Sequence, residues 1–257
     1  MATDGDAGSR VALITGAGRG AGRAIALRLA RAGMSVALVA RTRAQLDAVA
    51  AELKSAGTGP TIVQEMDVTD LGSIEAGLAH LHAALPQFDI LVNNAGVAES
   101  APLKTTSVDL WRDHLAVNAT GPFLLCRALV PSMVERGWGR VINIASTAGL
   151  VGAPYIVAYT ASKHALVGLT RALAAEMAGS GVTVNAVCPG YMATDIVWKG
   201  ARRIADRTGR AFEDAVAAMA ALNASGRLIE PDAVAAAVLD LCSEAAGGRT
   251  GEAVVLS

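Results

Sequence analysis

Short runs of aliphatic and β-branched residues alternate with longer Ala/Leu-rich stretches along nearly the whole chain. The runs at 11–15, 35–40, 61–66, 90–93, 141–145, 182–187 and 253–256 are apolar without an in–out alternation. That pattern predicts parallel strands buried on both faces. Helical periodicity fills the intervals at 19–32, 43–56, 70–84, 106–136, 158–178 and 231–242. Repeated βα winding of this kind predicts an α/β fold, a doubly wound and mainly parallel seven-stranded sheet with helices on both faces. No linker or repeat interrupts it, so residues 1–257 are expected to form one domain.

One segment breaks the rhythm. Residues 191–227 lie between the sixth strand and the last helix, read as helical, and have no strand of their own. Insertions beside the carboxyl ends of strands shape ligand sites, so this segment is expected to be a substrate lid.

Composition narrows the partners. The chain is 53% hydrophobic and only 4% aromatic, with a net charge of −1. Nothing in that balance points to nucleic acid or an anionic membrane surface. The three cysteines (Cys126, Cys188, Cys242) are far apart and lack a C-x-x-C spacing, which suits a reduced, cytoplasmic protein without a structural metal. The first ten residues are polar and acidic, with no apolar core for a signal peptide. The run at 115–134 is long enough to cross a bilayer, but Asn118, Thr120, Pro122, Pro131 and Ser132 interrupt it, so a buried helix is expected.

Candidate chemistry begins after the first strand, in T-G-A-G-R-G-A-G at 15–22. Glycines at a strand-to-helix turn let the backbone approach a pyrophosphate, which the helix N-terminus favours. Two spacings fit: Gly16-x-Gly18-x-x-Ala21 and Gly16-x-x-x-Gly20-x-Gly22. At the end of the second strand an acid would bind a free ribose 2′-hydroxyl, but the chain reads Val39-Ala40-Arg41-Thr42-Arg43. Arg41 and Arg19 suit a 2′-phosphate instead, which predicts NADP(H).

Tyr159 and Lys163 stand four apart in Y-T-A-S-K, on one helical face. A fixed cation beside a tyrosine favours the phenolate, so Lys163 is expected to draw the phenol's proton affinity down toward working pH. Pro122 has no N–H for the carbonyl of Asn118, so a helix kink that frees that carbonyl is expected there.

These residues together resemble the short-chain dehydrogenase/reductase family in its compact form, over essentially residues 10 to 256. The motifs are T-G-x-x-x-G-x-G at 15–22, Asp67-Val68, N-N-A-G at 93–96, Asn118, Ser146, Y-x-x-x-K at 159–163 and P-G-x-x-x-T at 189–194. The resemblance implies a Rossmann-type fold and a catalytic tetrad of Asn118, Ser146, Tyr159 and Lys163. It implies cofactor contacts from Gly16, Arg19, Gly20, Ala21, Gly22, Arg41, Asp67, Val68, Asn94, Ala95 and Gly96. Further cofactor contacts are implied for Tyr159, Lys163, Pro189, Gly190, Met192 and Thr194, the last four at the nicotinamide carboxamide. It also implies a water held by the Asn118 carbonyl that connects Lys163 to solvent.

The activity so implied is NADPH-dependent carbonyl reduction, reversible as alcohol oxidation. Ser146, Tyr155, Tyr159, Tyr191 and Trp198 are expected to line the substrate pocket. Reductases of carrier-bound 3-oxoacyl chains look similar but usually carry an arginine where this chain has Ala175, which favours a free ketone, β-keto ester or acyl-CoA. A cofactor-sensing protein without chemistry is the remaining alternative, and the intact tetrad speaks against it. The family usually continues past the last strand with an Asp-Gly-Gly tail, where this sequence reads Val255-Leu256-Ser257. The stretch 158–178 has only three formal charges and, with 115–134, more apolar surface than one sheet face covers, so buried subunit contacts are expected; the resemblance implies a homotetramer that pairs these helices, with a dimer as the alternative.

Overall fold

The computed structural model describes residues 10–257; the polar opening segment lies outside the described residues. In chain order the elements are β1 (Val11–Thr15), α1 (Gly20–Arg31), β2 (Ser35–Ala40), α2 (Arg43–Ser55), β3 (Thr61–Glu65), α3 (Leu71–Ala84) and β4 (Ile90–Asn93). There follow α4 (Val108–Leu115), α5 (Gly121–Glu135), β5 (Gly139–Ile144), α6 (Val157–Glu176), β6 (Val182–Pro189), α7 (Asp195–Thr208), α8 (Phe212–Ala220), α9 (Pro231–Leu241) and β7 (Ala253–Leu256). The seven strands are all parallel, in the order β3-β2-β1-β4-β5-β6-β7.

Alternate strand residues serve opposite cores, which is why the runs show no polar alternation. Ala12, Ile14, Val36, Leu38, Ile90 and Val92 face the side covered by α1, α2 and α9. Leu13, Ala37, Val39, Leu91, Val141 and Val184 face the side covered by α3 and α5. The expected strands all form, with ends that differ by a residue or two where the chain turns.

Two expectations about the helices change. The predicted helix 106–136 is divided: between α4 and α5 lies a π turn, Ala116–Thr120, in which the Gly121 amide reaches back to Ala116 O. Pro122 sits in the first turn of α5 and cannot donate. One extra residue in the turn absorbs that loss, so the helical run passes from α4 into α5 through a π turn at the place where the proline was expected to disturb it. By length and composition Val108–Glu135 would pass as a membrane span, yet Leu125, Leu129 and Met133 are buried against the sheet. The 191–227 segment is helical as expected, in α7 and α8, apart from a bridge of Met192 to Ile229 that adds a minimal strand pairing.

Candidate active site

The winding direction reverses between β1 and β4, so their carboxyl ends open a crevice. Both loops that leave it are stitched together. Thr15 Oγ1 accepts from the amides of Asn94 and Ala95 at 3.0 Å. Asn94 Nδ2 donates to Thr15 O at 2.8 Å and to Gly16 O at 3.2 Å. Asn94, expected to line the cofactor cleft, thus spends its side chain on bracing the glycine loop.

The structure selects between the two glycine spacings. Gly16 (φ 64°) and Gly20 (φ 52°) occupy the left-handed region. A Cβ at Gly22 would lie 2.1 Å from Gly16 O and 2.5 Å from Asn94 Nδ2, so only glycine fits. The pattern is therefore Gly16-x-x-x-Gly20-x-Gly22, with Ala21 buried behind it. The bare α1 N-terminus, with no acid in its first turn, suits a pyrophosphate.

At the adenosine side Arg41 is exposed at the end of β2, with no acid beside it on that strand end. Asp67 accepts from the Thr69 amide and hydroxyl at 2.9 and 2.8 Å. These bonds, the amide first, and then Arg41 hold its carboxyl below the ordinary value against the opposing effect of burial. Val68 is buried against Gly121. Arg19 pairs with Asp195 at 3.2 Å, so the glycine loop meets the start of the lid.

The nicotinamide end is set by β6. Gly190 N donates to Leu256 O at 2.8 Å, and Met192 pairs with Ile229. Thr194, at the start of α7, is buried, and its Oγ1 has no hydrogen-bond partner among the described residues. An orphaned buried hydroxyl at this place fits a carboxamide, and with the glycine cradle the residues present fit a nicotinamide dinucleotide.

The four tetrad positions converge from three elements. Ser146 follows β5, and its hydroxyl accepts from the Ala148 amide at 3.1 Å, which caps the turn that follows. The same hydroxyl faces Tyr159 closely enough to pull its pKa down against the effect of burial. The turn after it packs on α6, where a Cβ at Gly149 would lie 2.8 Å from Lys163 O. Lys163 Nζ donates to Ile144 O at 2.7 Å and lies 5.9 Å from the Tyr159 ring centroid. A Cβ on Gly96 would come within 3.6 Å of that ammonium and 3.3 Å of Asn118 Oδ1, so Gly96 keeps the floor of the crevice open. Asn118 Oδ1 accepts from Val97 N, while its Nδ2 donates to Val97 O and Ser162 Oγ, each at 2.9 Å. Its amide is a structural clamp, and only its main chain remains for the expected water.

The electrostatics correct one expectation. Tyr159 is held above the ordinary tyrosine value, with burial as the largest cause and the Ser146 hydroxyl opposing it. Burial also draws Lys163 down to about 8. Desolvation outweighs the cation because the ammonium is turned to a carbonyl and stands off the ring. The phenol is therefore kept protonated.

The pocket residues divide. Tyr191 is half-buried near Tyr159 and adds to the rise of its pKa, while burial raises that of Tyr191 itself. Trp198 packs within the lid on Phe212, with ring centroids 6.5 Å apart. Tyr155 is 68% exposed, on the rim, with a left-handed backbone (φ 67°).

Sequence reasoning missed two residues. Asn223, 4% exposed, ties both ends of the lid: Oδ1 accepts from Tyr191 N at 2.8 Å, and Nδ2 donates to Tyr191 O at 2.9 Å and Arg227 O at 2.6 Å. His114, 1% exposed, lies edge-on to Tyr159. Neither belongs to a motif, and each joins a local backbone carbonyl to a backbone group 15 or more positions away.

This arrangement is shared with known proteins. The chain is 37% identical to D-threitol dehydrogenase of Mycolicibacterium smegmatis over 250 residues, 96% of this chain and 91% of that one. It is 34% identical to a 3-oxoacyl-acyl-carrier-protein reductase of Aquifex aeolicus over 245 residues, 95% and 94% of the two chains. A crystal structure of an actinorhodin polyketide ketoreductase variant with NADPH superposes with a TM-score of 0.92 at 36% identity, covering 100% of this chain and 97% of that one. The family model for short chain dehydrogenase matches residues 10–204, and with these relatives at full length the chain belongs to that family.

Proposed function

We propose that the protein is an NADPH-dependent carbonyl reductase that interconverts a ketone and a secondary alcohol. The observation that carries this reading is the convergence of buried Ser146 and Lys163 with half-buried Tyr159 on a crevice whose other wall is the glycine loop. When bound, the nicotinamide supplies the hydride. Tyr159, kept protonated by burial, gives its proton to the substrate oxygen. Ser146 donates a second hydrogen bond to that oxygen and orients it. Lys163, an ammonium over most of the neutral range, supplies positive charge beneath the phenol as the proton leaves. In reverse the same groups take the proton back.

Arg41 and Arg19, with no acid at the end of β2, support NADP(H) over NAD(H). The ketoreductase solved with NADPH agrees. Ala175 supports a free ketone, β-keto ester or acyl-CoA over a carrier-bound chain. The similarity to D-threitol dehydrogenase favours a second reading, oxidation of a small polyol by the same groups. The three cysteines are buried and free, which suits the cytoplasm. Exposed Trp111, Phe123, Val134 and Val157 on α4, α5 and α6 support a homotetramer.

The deciding experiment follows NADPH absorbance with a panel of ketones, β-keto esters, acetoacetyl-CoA and, in reverse, polyols with NADP+. Turnover of a ketone that is lost in Tyr159→Phe supports the proposal. Oxidation of polyols alone establishes the second reading, and no turnover of any compound overturns both.

A further inference from the structure

The segment 97–101, which follows N-N-A-G along the substrate side of the crevice, has little burial of its own: Ala98 and Glu99 are exposed. Hydrogen bonds hold it instead. Val97 is clamped at both N and O by the Asn118 amide. Ser100 O accepts from the lid's Arg203 at 3.4 Å, and the same guanidinium lies 3.7 Å from the Glu99 carboxylate. The Ala101 amide donates to Tyr155 O at 2.8 Å, the one non-glycine residue with positive φ among those described. A tyrosine in that conformation is strained, so its carbonyl is turned there at a cost.

The remaining anchor is His114. Its Nδ1 lies 2.8 Å from Leu110 O, which can only accept, so Nδ1 carries the proton. Nε2 is then bare and accepts from Glu99 N–H at 3.0 Å. The ring that makes this bond also stands edge-on to Tyr159, with centroids 6.3 Å apart at 79°. One buried side chain thus touches the proton donor's ring and the middle of the loop opposite it.

We infer that His114 is a positioning residue for the carbonyl reaction: it fixes the 97–101 wall relative to the Tyr159 ring and so sets how a ketone is held. This rests on the reductase reading above. A histidine does what an aliphatic residue of that size cannot, because it packs as a ring on one side and presents an acceptor on the other.

The test compares His114→Phe, which keeps a ring against Tyr159 but has no acceptor, with His114→Gln, whose Oε1 can take the Glu99 amide. Loss of one such bond is expected to raise the ketone KM about tenfold in His114→Phe, with kcat within about threefold. Binding of NADPH, followed by calorimetry, is expected to be unchanged. His114→Gln is expected to recover KM to within about threefold of wild type. A His114→Phe enzyme with wild-type KM, or a KM raised equally in both variants, overturns the inference. Should His114→Phe fail to fold, Glu99→Pro against Glu99→Ala removes the same donor with His114 intact. A higher KM in the proline variant supports the inference and equal values overturn it. Wild-type protein that reduces no ketone at all defeats the reductase reading itself, a result distinct from either.

Discussion

Asn223 is the residue whose loss has the most calculable consequence. Its side chain makes three hydrogen bonds, to Tyr191 N, Tyr191 O and Arg227 O, and it is 4% exposed. In Asn223→Ala the Tyr191 N–H and the Arg227 carbonyl lose their Asn223 bond, while Tyr191 O keeps the Ile229 amide at 2.9 Å. Each stranded group costs about 1–3 kcal/mol if it stays dry, less if water reaches it. These backbone groups are only partly buried, so a total of about 2–4 kcal/mol is expected. Two further variants grade the argument. A Cβ at Gly190 would lie 2.2 Å from Asn223 Oδ1, so Gly190→Ala must displace the staple and should resemble Asn223→Ala. Asn223→Asp sets a carboxylate oxygen against two carbonyls, which favours its protonated form. Its folded pKa is then raised above an unfolded value of about 3.9. Whatever stability the acid form retains is present below that pH and is lost as pH rises through the folded pKa. The aspartate variant should therefore be weakest near pH 7 and improve on acidification relative to the alanine variant. Urea unfolding reads the global effect. Trypsin nicking among Lys199, Arg202, Arg203, Arg207 and Arg210 reads lid opening, expected to speed by about thirtyfold or more if 2 kcal/mol falls on the lid alone. Unfolding within about 0.5 kcal/mol of wild type together with unchanged nicking would refute the reasoning.

Other consequences follow from the crevice. Tyr159→Phe should lower turnover by about 10²–10⁴-fold with NADPH binding preserved, as measured by absorbance and calorimetry. Arg41→Ala should raise the KM for NADPH by about tenfold while leaving that for NADH within about twofold, since the guanidinium is exposed and its phosphate contact is partly screened. Lys163 is drawn down by burial to about 8. Its folded value lies below its unfolded value, so stability from the neutral form is complete above the unfolded pKa and lost as pH falls through the folded one. Lys163→Met should therefore gain stability relative to wild type as pH falls from about 10.5 toward about 8 and hold that gain below, at the expense of activity. A stability difference that is flat across this range in matched urea titrations counts against the burial argument.

What the sequence made legible follows from how local each signal is. Strands such as β1 and β4 announce themselves because residues of both parities are buried, and the glycine loop because backbone geometry there excludes any side chain. Tyr159 and Lys163 stood out by helical spacing, and Asn118 and Ser146 through the family resemblance. The protonation of Tyr159 was not legible, because helical spacing places Lys163 nearby but does not reveal that its ammonium turns to Ile144 O. Nor was the π turn, whose extra residue leaves the apolar pattern of α4 and α5 undisturbed. His114 and Asn223 were invisible for a common reason. Each is a polar residue whose meaning lies in backbone groups 15 or more positions away, brought close only by the fold.

The two halves of the crevice are held by different sets of contacts. On the cofactor side, Thr15 and Asn94 lock the loops after β1 and β4 together, and Ser146, Tyr159 and Lys163 sit on a buried turn and helix. On the substrate side, α7 meets the body through Arg19–Asp195 and Arg203–Glu99, pairs whose side chains are 38–58% exposed. Exposed pairs of this kind are worth about 0–1 kcal/mol each and weaken with salt. The Asn223 staple ties the two ends of the 191–227 segment, and the buried Val197, Ala201 and Ala215 seat its helices. Burial therefore holds α7 and α8 as it holds Ser146 and Lys163, and the exposed pairs add little to either.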